Sequence, residues 1–173
     1  VKVTFYYAIG TVPLSLAISF TIAWLLFRIV FARGIFRTLY FLPYVTSAVA
    51  SATVWRALLR PQSGLINLLL IDIGLEPQKW LIEPRGILHI LTDGLVPASV
   101  GPSLALCCII LFDIWHASGF MIVVFLAGLS SIPRQLEEGA RLDGASTWQV
   151  VRHVSLPLLS PTIFFLLVVS AIK

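Results

Sequence analysis

The sequence predicts an all-α, polytopic transmembrane helical bundle, and three observations carry that prediction. Hydrophobic residues make up 58% of the 173 residues and charged residues only 12%, against roughly a quarter charged in an ordinary soluble domain. Mean hydropathy is +0.97, so polar material is too scarce to wrap a core of this size and lipid must solvate much of the surface. The apolar residues also fall into long runs, with arginines standing singly at their edges.

The first run, about 5–27, is long enough to cross a bilayer with some tilt. Pro13 lies inside it, where neighbouring helices can re-satisfy the freed carbonyl. Ser15, Ser19 and Ala23 recur every fourth residue, which gives either a narrow face for close helix packing or only the small-residue content common to such helices. Arg28, Arg33 and Arg37 follow around a short connection containing Gly34, with no acid to offset them. By the positive-inside rule this connection faces the cytoplasm.

A second span is expected over 39–59, with Pro43 near its start, a small-residue face of Ser47, Ala48, Ser51 and Ala52, and Arg56 placed to snorkel to the headgroups. Residues 60–103 are rich in Pro and Gly and read as a long broken outer connection. Its apolar pieces Leu65–Ile73 and Ile87–Leu91 are too short to cross, and Trp80 suits the headgroup level. A third span is expected over 104–129, then a polar loop over 130–156 that alternation returns to the cytoplasm, then the start of a fourth span over 158–173. The chain opens on Val1 with no secretory leader pattern and stops within an apolar run, so it reads as a piece of a longer protein at both ends.

Several function classes are poorly served by these residues. The net charge of +4 forms no basic stripe with interleaved aromatics, which argues against nucleic acid. Cys107 and Cys108 are adjacent in an apolar run and read as small buried hydrophobes. His89, His116 and His153 show no metal-ligand spacing, and no metal or cofactor is expected. An intramembrane enzyme would need a nucleophile or metal site at matched depths, whereas Asp113 is the single acid within a span.

The loop is the informative segment. Pro133 suits a first helical turn, and Leu136 and Ala140 share a face with Gly139 beside them. Asp143-Gly144 then breaks the run, with Gly144 placed for a left-handed C-terminal cap. A second helix presents Trp148, Val151 and Val154 at three-residue spacing, turns Arg152 and His153 elsewhere, and is expected to end at Leu156-Pro157. Such a pair either docks into a groove on a soluble partner or folds back on its own bundle.

The motif in this loop resembles the signature of binding-protein-dependent ABC importer permeases: Glu-Ala-Ala, three residues, Gly, nine residues, Ile, any residue, Leu-Pro. Glu138-Gly139-Ala140, Gly144 and Val154-Ser155-Leu156-Pro157 match it at every spacing, with Gly139 in place of the first Ala and Val154 in place of Ile. Phe125–Leu129, Ile132-Pro133, Leu142–Ala145, Arg37–Leu39, Leu42–Tyr44 and Gly64–Asn67 resemble the carbohydrate-uptake branch. Ile87–Ser103 does not, and reads as an insertion in the outer loop.

The resemblance implies a MetI-like permease bundle in the cell inner membrane. Its expected partners are a cytoplasmic ABC ATPase dimer, a second permease subunit and an extracytoplasmic solute-binding protein. It implies that Glu138, Gly139 and Ala140 lie in the docking helix, that Gly144 makes its turn, and that Leu156-Pro157 ends the coupling element. Asp143 either contacts a basic group on the ATPase or caps the second helix. The sequence itself holds no Gly-Lys-Ser/Thr triplet of a phosphate-binding loop, so an ATP-driven reading needs the nucleotide site on another chain. An ion-coupled carrier is the rival transport reading. The implied solute is a sugar or related polyol, with glycerol phosphate, amino acids and polyamines as alternatives. Tyr44, Asn67, Asp113 and Trp115 are the candidate pathway residues. Asp113 is otherwise explained by structural pairing with His116 or Arg56.

Overall fold

A run of apolar residues in lipid must satisfy its backbone polar groups internally, and helix is the solution available to a chain with no closed barrel. The computed structural model describes residues 2–28, 33–84, 86–87 and 101–172, and among these the regular structure is helical. In chain order the helices are α1 (Lys2–Arg28), α2 (Arg33–Val45), α3 (Ala48–Leu58), α4 (Leu65–Asp72), α5 (Leu104–Ser131), α6 (Arg134–Leu142), α7 (Thr147–Leu158) and α8 (Ser160–Ile172). Two of them, α1 and α5, are long and apolar enough to cross a membrane. The pair α7 and α8 makes a third if read as one span bent by 67°. Apart from Ile87, the apolar piece Ile87–Leu91, with His89, and most of the suspected insertion 87–103 lie outside the described residues.

The run 39–59 is not one helix. α2 ends at Val45 and α3 begins at Ala48, with Ser47 in an extended conformation (φ −56°, ψ 126°) between them. Pro43 has no N–H to donate back along α2, which weakens the ladder just before the break. The Thr46 and Ser51 hydroxyls bond to each other at 2.9 Å across the corner.

The residues divide into two compact units, one of Val1–Thr11 with Val45–His116 and the other of Val12–Tyr44 with Ala117–Lys173. In the first, Tyr7 packs on Leu106, Ile110 and Ile114. Its phenol donates to the Asp113 carboxylate at 2.9 Å. Trp55, Phe112 and Trp115 form an aromatic cluster with centroids 5.8–6.2 Å apart. Beyond α3, Asn67 organises the short α4 and the chain after it. Its amide nitrogen donates to the carbonyls of Pro61 (2.9 Å) and Gln78 (2.8 Å). Its amide oxygen accepts from Gln78 N (3.1 Å) and Trp80 Nε1 (2.7 Å). Gly86 and Ser103 meet in an isolated antiparallel bridge.

In the second unit the core is Ala23, Leu26, Met121, Ile122, Phe125, Leu129, Leu159 and Leu166. Phe20 meets Phe125 edge-on at 5.6 Å. Lipid tails are as apolar as these side chains, so burying them gains little from water exclusion, and close packing has to supply the stability. The small residues allow that approach. Ser15 and Ser19 are wholly buried with no hydrogen-bond partner for their hydroxyls, so their small volume is what the packing uses. At Gly128 an added Cβ would sit 2.8 Å from Leu159 Cδ2 and 2.9 Å from Thr162 Oγ1, which is what lets α5 lie against the α7–α8 bend.

Candidate functional site

The loop after α5 is built by local signals of the sequence. Pro133 sits in extended conformation just before α6 and starts the helix. At its other end Gly144 has φ +84°. Ala145 N donates to Ala140 O and Gly144 N to Arg141 O, both at 3.0 Å. These are the paired bonds of a Schellman termination, and they satisfy carbonyls that would otherwise be left open. The left-handed cap expected at Gly144 is therefore present. α7 then starts at Thr147 behind a capping box: Ser146 Oγ accepts from Gln149 N (3.4 Å), and Gln149 Oε1 accepts from Ser146 N (2.7 Å). The cap alternative for Asp143 is therefore not realised. Ser146 is the cap, and Asp143 is left exposed at the C-terminal edge of α6.

The second helix departs from expectation in two ways. It does not end at Leu156-Pro157. Residues Val151–Ser155 form a π turn, Leu156–Leu158 continue helical, and the break comes at Leu159. Leu156 N reaches back to Val151 O, a five-residue bond. Pro157, which has no N–H, follows immediately, so the ladder loses its next rung there. Nor do Trp148, Val151 and Val154 form one outward face. Val150 and Val151 are buried, Val154 is half-buried, and Trp148 is 66% exposed.

Among the motif residues, Gly139, Ala140, Val154 and Leu156 are half-buried, while Glu138, Asp143, Gly144 and Pro157 are exposed. The large apolar groups left open on the loop are Leu136 (47%), Leu142 (89%) and Trp148. Leu142 was not singled out from the sequence. Its position one residue before the Asp-Gly turn was the available signal.

Glu138 is exposed and borders a cleft within its own unit. With Arg134, Glu137 and Arg141 it lines this cleft of about 280 Å³, whose opposite wall is the end of α1: Trp24, Phe27 and Arg28. The Arg28 guanidinium lies over the Trp24 ring, 4.1 Å from its centroid, a cation–π arrangement.

The candidate pathway residues fall into separate settings. Asn67 is 2% exposed and its amide makes four hydrogen bonds, its full capacity. It is a structural knot and has nothing left with which to read a solute. Asp113 is bonded by Tyr7, a partner 106 positions away that the sequence reading missed. The Tyr6-Tyr7 pair within the first span, with Asp113 the single acid within another, was the available signal. Trp115 is 38% exposed beside Trp55 and Phe112. Tyr44 belongs to the other unit, where its ring stacks on Phe120 at 5.3 Å. Among the described residues no group of His, Cys, Asp and Glu could hold a metal ion.

Residues 3–173 match the model of the family described as binding-protein-dependent transport system inner membrane component. A Pyrococcus horikoshii protein named as a probable ABC transporter permease is 38% identical, in an alignment that covers 94% of this chain and 51% of that protein. The trehalose/maltose transport system permease protein MalF of Thermococcus litoralis is 28% identical over 98% of this chain and 52% of its own length. Among solved structures, a bacterial ABC transporter involved in import of the acidic polysaccharide alginate aligns with a TM-score of 0.79 and 27% identity, over 98% of this chain and 54% of that one. The chain thus spans about half the length of the curated relatives it matches.

Proposed function

The chain belongs to the family of binding-protein-dependent transport system inner membrane components, and from that membership we propose that the whole protein is the membrane-spanning subunit of an ATP-driven importer for a sugar or related polyol. The observation that carries this reading is the loop α6–Gly144–α7. It is a rigidly capped helix pair with Leu136, Leu142 and Trp148 exposed, set at the spacing of the family signature. In the proposed mechanism α6 sits in a cleft of a separate ATPase dimer, and closure of that dimer moves the loop. The buried π turn and Leu159 then pass the movement to α8, because Leu159 is locked against Gly128.

Coupling of this kind requires the loop to bind one ATPase conformation more tightly than the other. Driving a two-state bundle from almost wholly inward-facing to almost wholly outward-facing takes about 5.5 kcal/mol of differential affinity. Three well-seated apolar side chains at roughly 1.5–3 kcal/mol each are of that order. The nucleotide site is assigned to the partner, consistent with the lack of a Gly-Lys-Ser/Thr triplet in this sequence. The remaining expected partners are a second permease subunit and an extracytoplasmic solute-binding protein. The sugar assignment draws its support from the relatives named for trehalose/maltose and alginate.

A cysteine at Leu142 in the full-length protein, with Cys107 and Cys108 replaced by Ser, tests the assignment. An ATP-sensitive crosslink to the ATPase is expected. Labelling of that cysteine by a membrane-impermeant reagent applied from outside, with no crosslink, would overturn both the topology and the mechanism.

A further inference from the structure

We propose that α4 is an interfacial helix, with its exposed apolar face embedded in the lipid leaflet that holds the start of α5. The inference rests on the family's membrane placement and on no assignment of sides, solute or ATPase. α4 is inverted for a helix in water. Asn67 is buried, whereas Leu65, Leu68, Leu69 and Ile71 are each more than half exposed. One exposed Leu is ordinary, but a helix with its amide turned in and four apolar side chains turned out has the polarity of a lipid-facing one. Hydrocarbon also demands that polar groups find their partners within the protein. The Asn67 amide does so, with four hydrogen bonds.

A contact with α5 sets the depth. The Cys108 thiol donates to the Trp80 carbonyl at 3.8 Å, and the Trp80 ring N–H donates to Asn67, so α4 stands one tryptophan side chain away from Cys108. α5 has 28 residues, which makes it about 42 Å long against about 30 Å of hydrocarbon. Centred across the bilayer it leaves about four residues in the interface at each end, and Cys108 is its fifth. Tilt carries Cys108 deeper. Ile109 and Leu111, next along α5, are exposed too, so apolar surface is open at the same level of the span. Asp72 closes α4, and Glu76 and Lys79 follow, all three exposed. These charges hold the segment at headgroup level and keep it from the midplane. A soluble partner suits the face less well. Protein interfaces carry about one hydrogen bond per 100–200 Å², and the four exposed side chains of α4 have no polar group with which to make one.

Nitroxide labels placed singly at Leu65, Leu68, Leu69, Ile71, Lys79 and Leu111 test the inference. The full-length protein carries Cys107→Ser and Cys108→Ser, which keeps a donor for the Trp80 carbonyl, and is reconstituted in dioleoyl phosphatidylcholine vesicles. Collision with oxygen, which partitions into lipid, is compared with collision with a water-soluble nickel chelate. At the four α4 positions oxygen should dominate, at an immersion of about 5–10 Å. At Lys79 the chelate should dominate, and Leu111 within the span should exclude it. Chelate access at the α4 positions equal to that at Lys79 would place the helix in water and overturn the proposal. Exclusion of both relaxants there would mean that a protein surface covers the face, from a second permease subunit or from this chain, and would overturn it equally. Chelate access at Leu111 would overturn the membrane placement of α5 itself, and the proposal with it.

Discussion

Substitutions at Gly144 isolate backbone strain from steric fit. Its φ of +84° is a conformation that L side chains rarely adopt, yet a Cβ built there meets nothing within 4 Å. Any penalty is therefore conformational. Ala should cost about 1 kcal/mol and Val about 2 kcal/mol, since left-handed backbone disfavours Cβ and branching adds to it. Asn, which tolerates this region, should cost less than Ala. The two Schellman bonds, from Ala145 N and Gly144 N, report the turn directly. Hydrogen exchange at these amides in the full-length protein should accelerate about fivefold for Gly144→Ala and about thirtyfold for Gly144→Val, with Gly144→Asn in between wild type and Ala. Gly139 is the internal control. It lies within α6 and also has open space around it, so Gly139→Ala should slow exchange, because Ala stabilises a helix interior by roughly 0.5–1 kcal/mol over Gly. Equal effects of Asn, Ala and Val at position 144 would refute the left-handed turn. Faster exchange in Gly139→Ala would mean that the loop is not limited by backbone preference at all.

Other perturbations read other parts of the molecule. Gly128→Ala places a methyl group within 3 Å of both Leu159 and Thr162, so it should lower stability by about 1–3 kcal/mol, measured as thermal unfolding in detergent, with partial rescue by Leu159→Ala. Asn67→Asp removes both donors, to Pro61 O and Gln78 O, and should cost roughly 2 kcal/mol; faster proteolysis after Lys79 would show it, with the rest of the chain unaffected. Ser146→Ala breaks the capping box and should cost about 1 kcal/mol, visible as faster exchange at Gln149 N. Ser15→Ala and Ser19→Ala should be neutral or stabilising, because each removes a buried hydroxyl that has no partner, whereas Ser19→Leu should disrupt the fold in the same unfolding assay.

What could be read from the sequence follows the range of the interactions involved. Gly144 was legible because a Schellman termination is made by neighbours, and Asp-Gly after an amphipathic turn is enough to specify it. The cap of α7 was equally local, but Asp143 drew attention away from the Ser146–Gln149 pair that makes it. Asn67 could not be judged from its neighbourhood. Its decisive acceptor–donor bond is to Trp80 Nε1, across a Gly- and Pro-rich stretch that carries no periodicity. Asp113 was recognised as costly in a span, but Tyr7 lies on a helix 106 positions earlier. The division of the run 39–59 into α2 and α3 was not legible from apolar content, because the two small polar residues Thr46 and Ser47 interrupt it too briefly to end a span. The π turn was not legible either: Val150, Val151 and Ser155 around it are buried, but nothing in the apolar spacing of 147–158 marks an extra residue.

That π turn sets a rule for exchanging parts between related proteins. Relative to an α-helix it holds one extra residue, and one residue is worth about 100° of rotation and about 1.5 Å of rise. A chimera that transplants α6 and the start of α7 but closes the register by deleting one residue from Val151–His153 would keep every motif letter while shortening the nine-residue spacing by one. It would nonetheless swing Phe164 and Phe165, now exposed on α8, by more than a quarter turn and carry buried Leu166 out of the core. A graft boundary is therefore safe before Ser146 or after Leu159, and unsafe anywhere between.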